Sequence, residues 1–182
     1  MDLQIISCTN RPGNRSIHIA RYYQEELGRR NVKTALYNLE DLPLRLLETD
    51  LYGKRSEAFL PIQAMIDQAK RFLFVVPEYN RSVPGVFKLL IDACDFPGSF
   101  QGKEGWSVGL GAGRAGNEVG LQHLRDIMDY LGTDIHPEQL TISQVTGKID
   151  AEGNITDDGT LRQLESHVAA IEAAIRLQKI EK

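Results

Sequence analysis

Phe72-Leu73-Phe74-Val75-Val76 is a run of five apolar side chains with no polar alternation. A strand with one face in water alternates polar and apolar residues. A short continuous run reads instead as a strand buried on both faces, which implies a parallel sheet covered by helices. The run passes into Pro77-Glu78-Tyr79-Asn80-Arg81-Ser82-Val83-Pro84-Gly85, a polar and aromatic loop stiffened by two prolines. Helical periodicity then resumes, with Phe87, Leu90, Ile91 and Cys94 inward. In open α/β sheets ligands bind beyond the carboxyl ends of the strands. This loop has the chemistry to hold a flat, polar ring there.

The same strand-then-helix pattern recurs along the chain. A first strand is expected at Leu3-Gln4-Ile5-Ile6, then a helix capped by Ser16 and running to about Arg29. Val32 to Tyr37 reads as strand two, Leu39 to Gly53 as a connection, and Ser56 to Lys70 as a helix. Strand four spans Trp106 to Leu110, a glycine turn follows, and a helix runs from Asn117 to Leu131. A fifth strand lies within Asp134 to Ile142, where Pro137 makes it short or places it at an edge. Lys148 to Thr156 reads as a loop around Gly153, and Asp158 to Gln178 as the last helix. Five strands alternating with five helices predict an α/β three-layer sandwich, with a parallel sheet of order 2-1-3-4-5 and helices on both faces. That order sets the loops after strands one, three and four side by side. The whole chain, 1–182, is read as one domain.

The bulk numbers narrow the partners. With 42% hydrophobic residues the chain can build a core. A formal charge of −4 argues against nucleic acid as the main partner. No apolar run approaches the roughly 20 residues that span a bilayer, and the N-terminus begins as a strand without a signal-peptide pattern. A cytoplasmic location is the default expectation. Cys8 and Cys94 have no metal-ligand spacing and read as small core residues. His18, His123, His136 and His167 show none either and are explained by surface or helix positions, so no metal is expected.

The first strand leads into Ser7-Cys8-Thr9-Asn10-Arg11-Pro12-Gly13-Asn14-Arg15-Ser16, where hydroxyls, amides and two arginines crowd the start of a helix. Unpaired N–H groups and the positive end of the dipole favour a phosphate there. Gly111-Ala112-Gly113-Arg114-Ala115-Gly116 is a literal GxGxxG, with Asp134 about 20 positions on as a dinucleotide site would want. It follows the fourth strand rather than the first, so a dinucleotide fold is the weaker reading.

PEYNRSVPGVFKLLIDA, and in second place TNRPGNRS, resemble the NAD(P)H-dependent FMN reductase family, the flavodoxin-like group of quinone, azo-dye and chromate reductases. The resemblance runs from the first strand to the final helix. It implies FMN, NADPH or NADH as electron donor, and a ping-pong transfer of two electrons to a small acceptor (flavin, quinone, azo compound or metal oxyanion). It implies a homodimer or homotetramer. Thr9, Arg11 and Ser16 fall on the phosphate-binding positions, with Asn14 in the same loop. Pro77, Glu78, Tyr79 and Asn80 fall on the segment lining the isoalloxazine ring, and Ser82 braces that turn. Gly111, Gly113 and Gly116 let backbone approach the flavin edge. No catalytic side chain is implied. Glu78, Tyr79 and Asn80 orient the ring, and their backbone amides are candidates to meet charge developing on it. Cys8 stands where the family commonly has glycine, and Ala93 where many members have tryptophan. A flavodoxin-type electron carrier and a flavin-free binding or regulatory module of the same fold remain open alternatives.

Overall fold

The computed structural model describes residues 1–43, 45, 46 and 55–180. Its strands are β1 (Leu3–Ser7), β2 (Thr34–Asn38), β3 (Arg71–Pro77), β4 (Lys103–Leu110), β5 (Thr133–Ile135) and β6 (Leu140–Ile142). Its helices are α1 (Ser16–Arg29), α2 (Leu60–Gln68), α3 (Gly85–Ala93), α4 (Glu118–Tyr130) and α5 (Asp158–Ile180). Every strand pair is parallel and the order is β2-β1-β3-β4-β5, the flavodoxin-like arrangement expected. The connection expected over 39–53 includes a short 3-10 turn at Leu39–Asp41. Residues 44 and 47–53 of it lie outside the described residues. Ser56 caps a turn, its Oγ accepting from Phe59 N at 3.3 Å, and regular helix begins only at Leu60, with Pro61 in its first turn.

Residues of the central strand divide between two cores. Phe72, Phe74 and Val76 pack with Phe87, Leu90, Leu121 and Leu124 under α2, α3 and α4. Leu73 and Val75 pack with Ile19, Tyr23, Val168 and Ile171 under α1 and α5. This is why the run shows no alternation: both faces are dry. β4 solves the problem differently. Trp106, Val108 and Leu110 fill the α1–α5 side, while the alternate positions are Gly105, Ser107 and Gly109. A Cβ on Gly109 would lie 2.5 Å from the Gly116 carbonyl oxygen and 3.0 Å from Leu121 Cδ1. The start of α4 and the turn before it therefore rest on bare backbone. Gly109→Ala is expected to destabilise the protein by about 1–3 kcal/mol through this overpacking. A urea midpoint equal to that of the wild type would show that the contact yields freely.

Pro137 has a larger effect than a shortened strand. Ile135 pairs with Gly105 and Leu140 with Val108, so His136-Pro137-Glu138-Gln139 lie opposite only Trp106 and Ser107. The fifth strand is thus two short pieces, β5 and β6, both on β4. Proline cannot supply a ladder N–H, and the surplus residues loop out there. His136 stacks on Trp106 with centroids 4.3 Å apart and planes 15° from parallel. Arg125 of α4 donates to the freed carbonyls of Ile135 and His136, at 2.7 and 2.8 Å. On the same side of the sheet the buried His167 of α5 meets the Tyr23 hydroxyl of α1 through Nδ1 at 2.7 Å.

Candidate functional site

The site begins where β1 runs out. Cys8 N still donates to Val75 O at 2.9 Å, and its thiol turns into the core, 3.4 Å from Ile6 O. Burial pushes that thiol well above its ordinary pKa, so Cys8 is core filler rather than a nucleophile. The next residues form a self-braced loop. Thr9 Oγ1 accepts from Arg11 N at 3.2 Å and bonds the Tyr79 hydroxyl at 2.7 Å. Asn14 Nδ2 donates to Arg11 O at 2.9 Å, and Asn14 Oδ1 accepts from Ile17 N at 3.0 Å. The capping side chain of α1 is therefore Asn14, where Ser16 was expected. Ser16 is the first helical residue, and its buried Oγ has no partner among the described residues. Arg11 and Arg15 are exposed beside it, and neither forms an ion pair among the described residues.

The second loop extends β3. Glu78 N donates to Leu110 O at 2.7 Å, prolonging the pairing with β4. Tyr79 and Ser82 exchange backbone hydrogen bonds, both at 3.1 Å, around Asn80 (φ 53°) and Arg81 (φ 60°). Two positive φ angles in the centre are the pattern of a type I′ turn, which asparagine tolerates well and arginine poorly. Of the three amides expected to meet the ring, Glu78 and Tyr79 thus already donate within the protein. Asn80 alone has no acceptor for its N–H among the described residues. Ser82 Oγ lies 2.9 Å from His123 Nδ1 on α4.

The third loop is stitched to the segment after β6. Gly111 N donates to Ile142 O at 3.0 Å, Val145 N to Gly111 O at 3.1 Å and Gln144 N to Gly113 O at 2.9 Å. Asn117, buried and at φ 74°, reaches back to Val76 O at 3.0 Å. The close approach that Gly111 and Gly116 permit is to their own chain. A Cβ on Gly111 would lie 3.1 Å from Gly116 Cα, and one on Gly116 (φ +57°) 2.8 Å from Thr141 Cβ. Gly113 stands open.

Between these loops is a cleft of about 300 Å³. Arg11, Asn14 and Ser16 form one side, Pro77, Glu78 and Tyr79 another. Thr9 stands behind the wall as its brace, Asn80 is exposed at the loop tip, and Ser82, Gly111, Gly113 and Gly116 do not line the cleft. The cleft also takes in Arg15, Leu110, Ala112, Val145 and Thr146. Val145 and Thr146 follow the strand that Pro137 obscured. The only sequence signal for them was their place at the carboxyl end of that strand.

Residues 1–147 match the model of the NADPH-dependent FMN reductase family. The chain belongs to that family. It is 32% identical over 119 residues to a 2-hydroxy-1,4-benzoquinone reductase of a Burkholderia species, covering 63% of this chain and 65% of that protein. It is 34% identical over 116 residues to an NAD(P)H-dependent FMN reductase of Pseudomonas aeruginosa, covering 61% and 62%. The chain thus spans a little under two thirds of the length of these curated relatives. Among solved structures, the NAD(P)H:(acceptor) oxidoreductase FerB of Paracoccus denitrificans superposes with a TM-score of 0.74 at 24% identity over 96% of both chains. An NADH:FMN oxidoreductase in its apo form gives a TM-score of 0.76 at 18% identity, over 94% of this chain and 88% of that one. These likenesses carry the fold. The family implies FMN and NAD(P)H, and the cleft suits the former. Among the described residues the buried Ser16 hydroxyl and the Ser16 N–H have no partner, and Arg11 and Arg15 form no ion pair; together they make a corner for a phosphate.

Proposed function

We propose that this protein is an oxidoreductase that holds FMN in the cleft and passes two electrons from NAD(P)H to a small acceptor in a ping-pong sequence. The acceptor is a flavin, quinone, azo compound or metal oxyanion. The observation that carries this is the meeting of the cationic Ser16–Arg11–Arg15 corner and the Tyr79 wall in one cleft. When bound, FMN supplies the hydride chemistry. The protein's part is to grip and orient. Ser16 Oγ, the Ser16 N–H at the head of α1 and the two guanidinium groups would hold the phosphate. Pro77 and Glu78 would flank the ring, and Tyr79, fixed by its bond to Thr9, cannot swing away from it. Exposed Arg81 and Arg114 would draw in the phosphates of the nicotinamide donor. Assembly as a homodimer or homotetramer rests on the family resemblance, and a cytoplasmic location on the default expectation from the sequence.

The test is the visible spectrum of the purified protein after FMN loading, followed by anaerobic NADPH and NADH. Flavin absorbance that bleaches on donor addition supports the reading. Bound flavin with no NAD(P)H oxidation points to an electron carrier, and failure to take up FMN to a flavin-free module. A local test uses the loop tip. Asn80→Ala is expected to alter the bound-flavin spectrum or its reduction rate, because alanine in the left-handed region costs roughly 1–2 kcal/mol. Asn80→Gly, which keeps the turn and its N–H, should behave like the wild type. An unaltered spectrum and rate in Asn80→Ala removes the tip from the site.

A further inference from the structure

We propose that His18 is a positioning residue for the cleft: its ring holds the hairpin 148–156 against α1 and thereby keeps the Val145–Thr146 wall in register with the phosphate corner. This rests on the FMN reading above. The hairpin is closed by an Ile149–Ile155 bridge, and Asp150 Oδ1 accepts from Asn154 N at 2.7 Å. Its root is anchored by the buried Ile149 and by Lys148 Nζ, 3.9 Å from Asp157 Oδ2. Its tip has a different anchor. Gly153, at φ +92°, passes so close to His18 that a Cβ would lie 2.0 Å from Nδ1 and 2.3 Å from Cε1.

Chain connectivity makes this contact matter to the cleft. His18 sits in the first turn of α1, two residues after Ser16 and three after Arg15. The hairpin follows directly on Val145 and Thr146. One contact of ring on backbone therefore closes a bracket between two walls of the same cleft. Around the imidazole stand Arg15 just before α1, Arg21, Tyr22 and Glu25 from α1, and Asp150 and Glu152 from the hairpin. Burial, then Arg21 and Arg15, lower its pKa against the pull of Asp150, so at neutral pH it packs as an uncharged plate. A polar groove of about 390 Å³ lies alongside. The contact is thus a local clasp outside the two apolar cores.

FMN titration of the apoprotein by fluorescence quenching tests the clasp, with thermal melts reporting folding. His18→Ala and Gly153→Ala are each expected to weaken FMN binding by roughly three- to thirtyfold, with kcat at saturating FMN unchanged. His18→Phe, which keeps a flat ring over Gly153, should restore near wild-type affinity. The double variant should lose less than the sum of the singles, because removing the ring removes the collision. Wild-type affinity in both single variants overturns the proposal, and so does a His18→Ala defect that His18→Phe does not rescue. A wild-type protein that binds no FMN overturns the functional reading itself, a distinct result. Should His18→Ala fail to fold, Gly153→Ala compared with His18→Phe probes the same contact.

Discussion

Arg11→Ala is expected to weaken FMN binding to the apoprotein by roughly ten- to a hundredfold, the worth of a hydrogen bond to a charged partner at about 1.5–3 kcal/mol. The variant is a clean probe because the loop does not depend on the guanidinium. Arg11 is pinned through its backbone, its N–H to Thr9 Oγ1 and its carbonyl from Asn14 Nδ2. Its side chain is exposed on the cleft wall. Loop geometry should survive while the phosphate loses a charged donor. Arg11→Lys should recover only part of the loss, since an ammonium lacks the planar fork. Riboflavin, which carries no phosphate, should bind wild type and variant alike. Equal FMN affinity in Arg11→Ala, measured by fluorescence titration, would remove the cationic corner from the proposal.

Acid should destabilise the fold through His167. Burial lowers its pKa from 6.5 to about 4 in the folded protein, and the Glu138 backbone offsets only part of that. Between those values the unfolded chain holds a proton that the folded chain does not, so stability rises with pH across the window. The contribution is fully present above pH 6.5 and lost by pH 4, and amounts to about 3 kcal/mol. The cause is visible in the packing: Nδ1 is engaged by the Tyr23 hydroxyl, and Nε2 is buried with no hydrogen-bond partner among the described residues. Urea midpoints should fall from pH 7 to pH 4.5 in the wild type, and fall less in His167→Phe. Parallel pH profiles for the two would exclude His167 as the source.

What could be read from the sequence followed the strength of the physical constraint. Phe72 to Val76 announced a doubly covered strand because a short run of five β-branched and aromatic or aliphatic side chains, closed by Pro77, suits a strand with both faces dry. Strand order and the side-by-side loops then followed from the alternation of elements. Local chemistry was less determinate. Asn14 and Ser16 are both good caps, and only the point at which the backbone turns helical assigns the role to Asn14 and leaves the Ser16 hydroxyl without a partner among the described residues. Thr9 read as a phosphate ligand, yet it is committed to Tyr79, a partner 70 positions away. Glycines at 111 and 116 have one appearance in sequence and two uses, toward a ligand or toward their own chain, and space alone decides between them. Val145 and Thr146 enter the cleft through pairing with the third loop, a non-local relation that no periodicity encodes.

The broken margin formed by β5 and β6 also bears on how the molecule behaves when crowded. A foreign strand laid against β5 could register with three residues before meeting Pro137, which offers no donor. Just before it, the carbonyls of Ile135 and His136 are already claimed by Arg125. Lateral growth of the sheet into a cross-chain stack is thereby blocked along this border, and the residues that interrupt the ladder serve as a guard against aggregation.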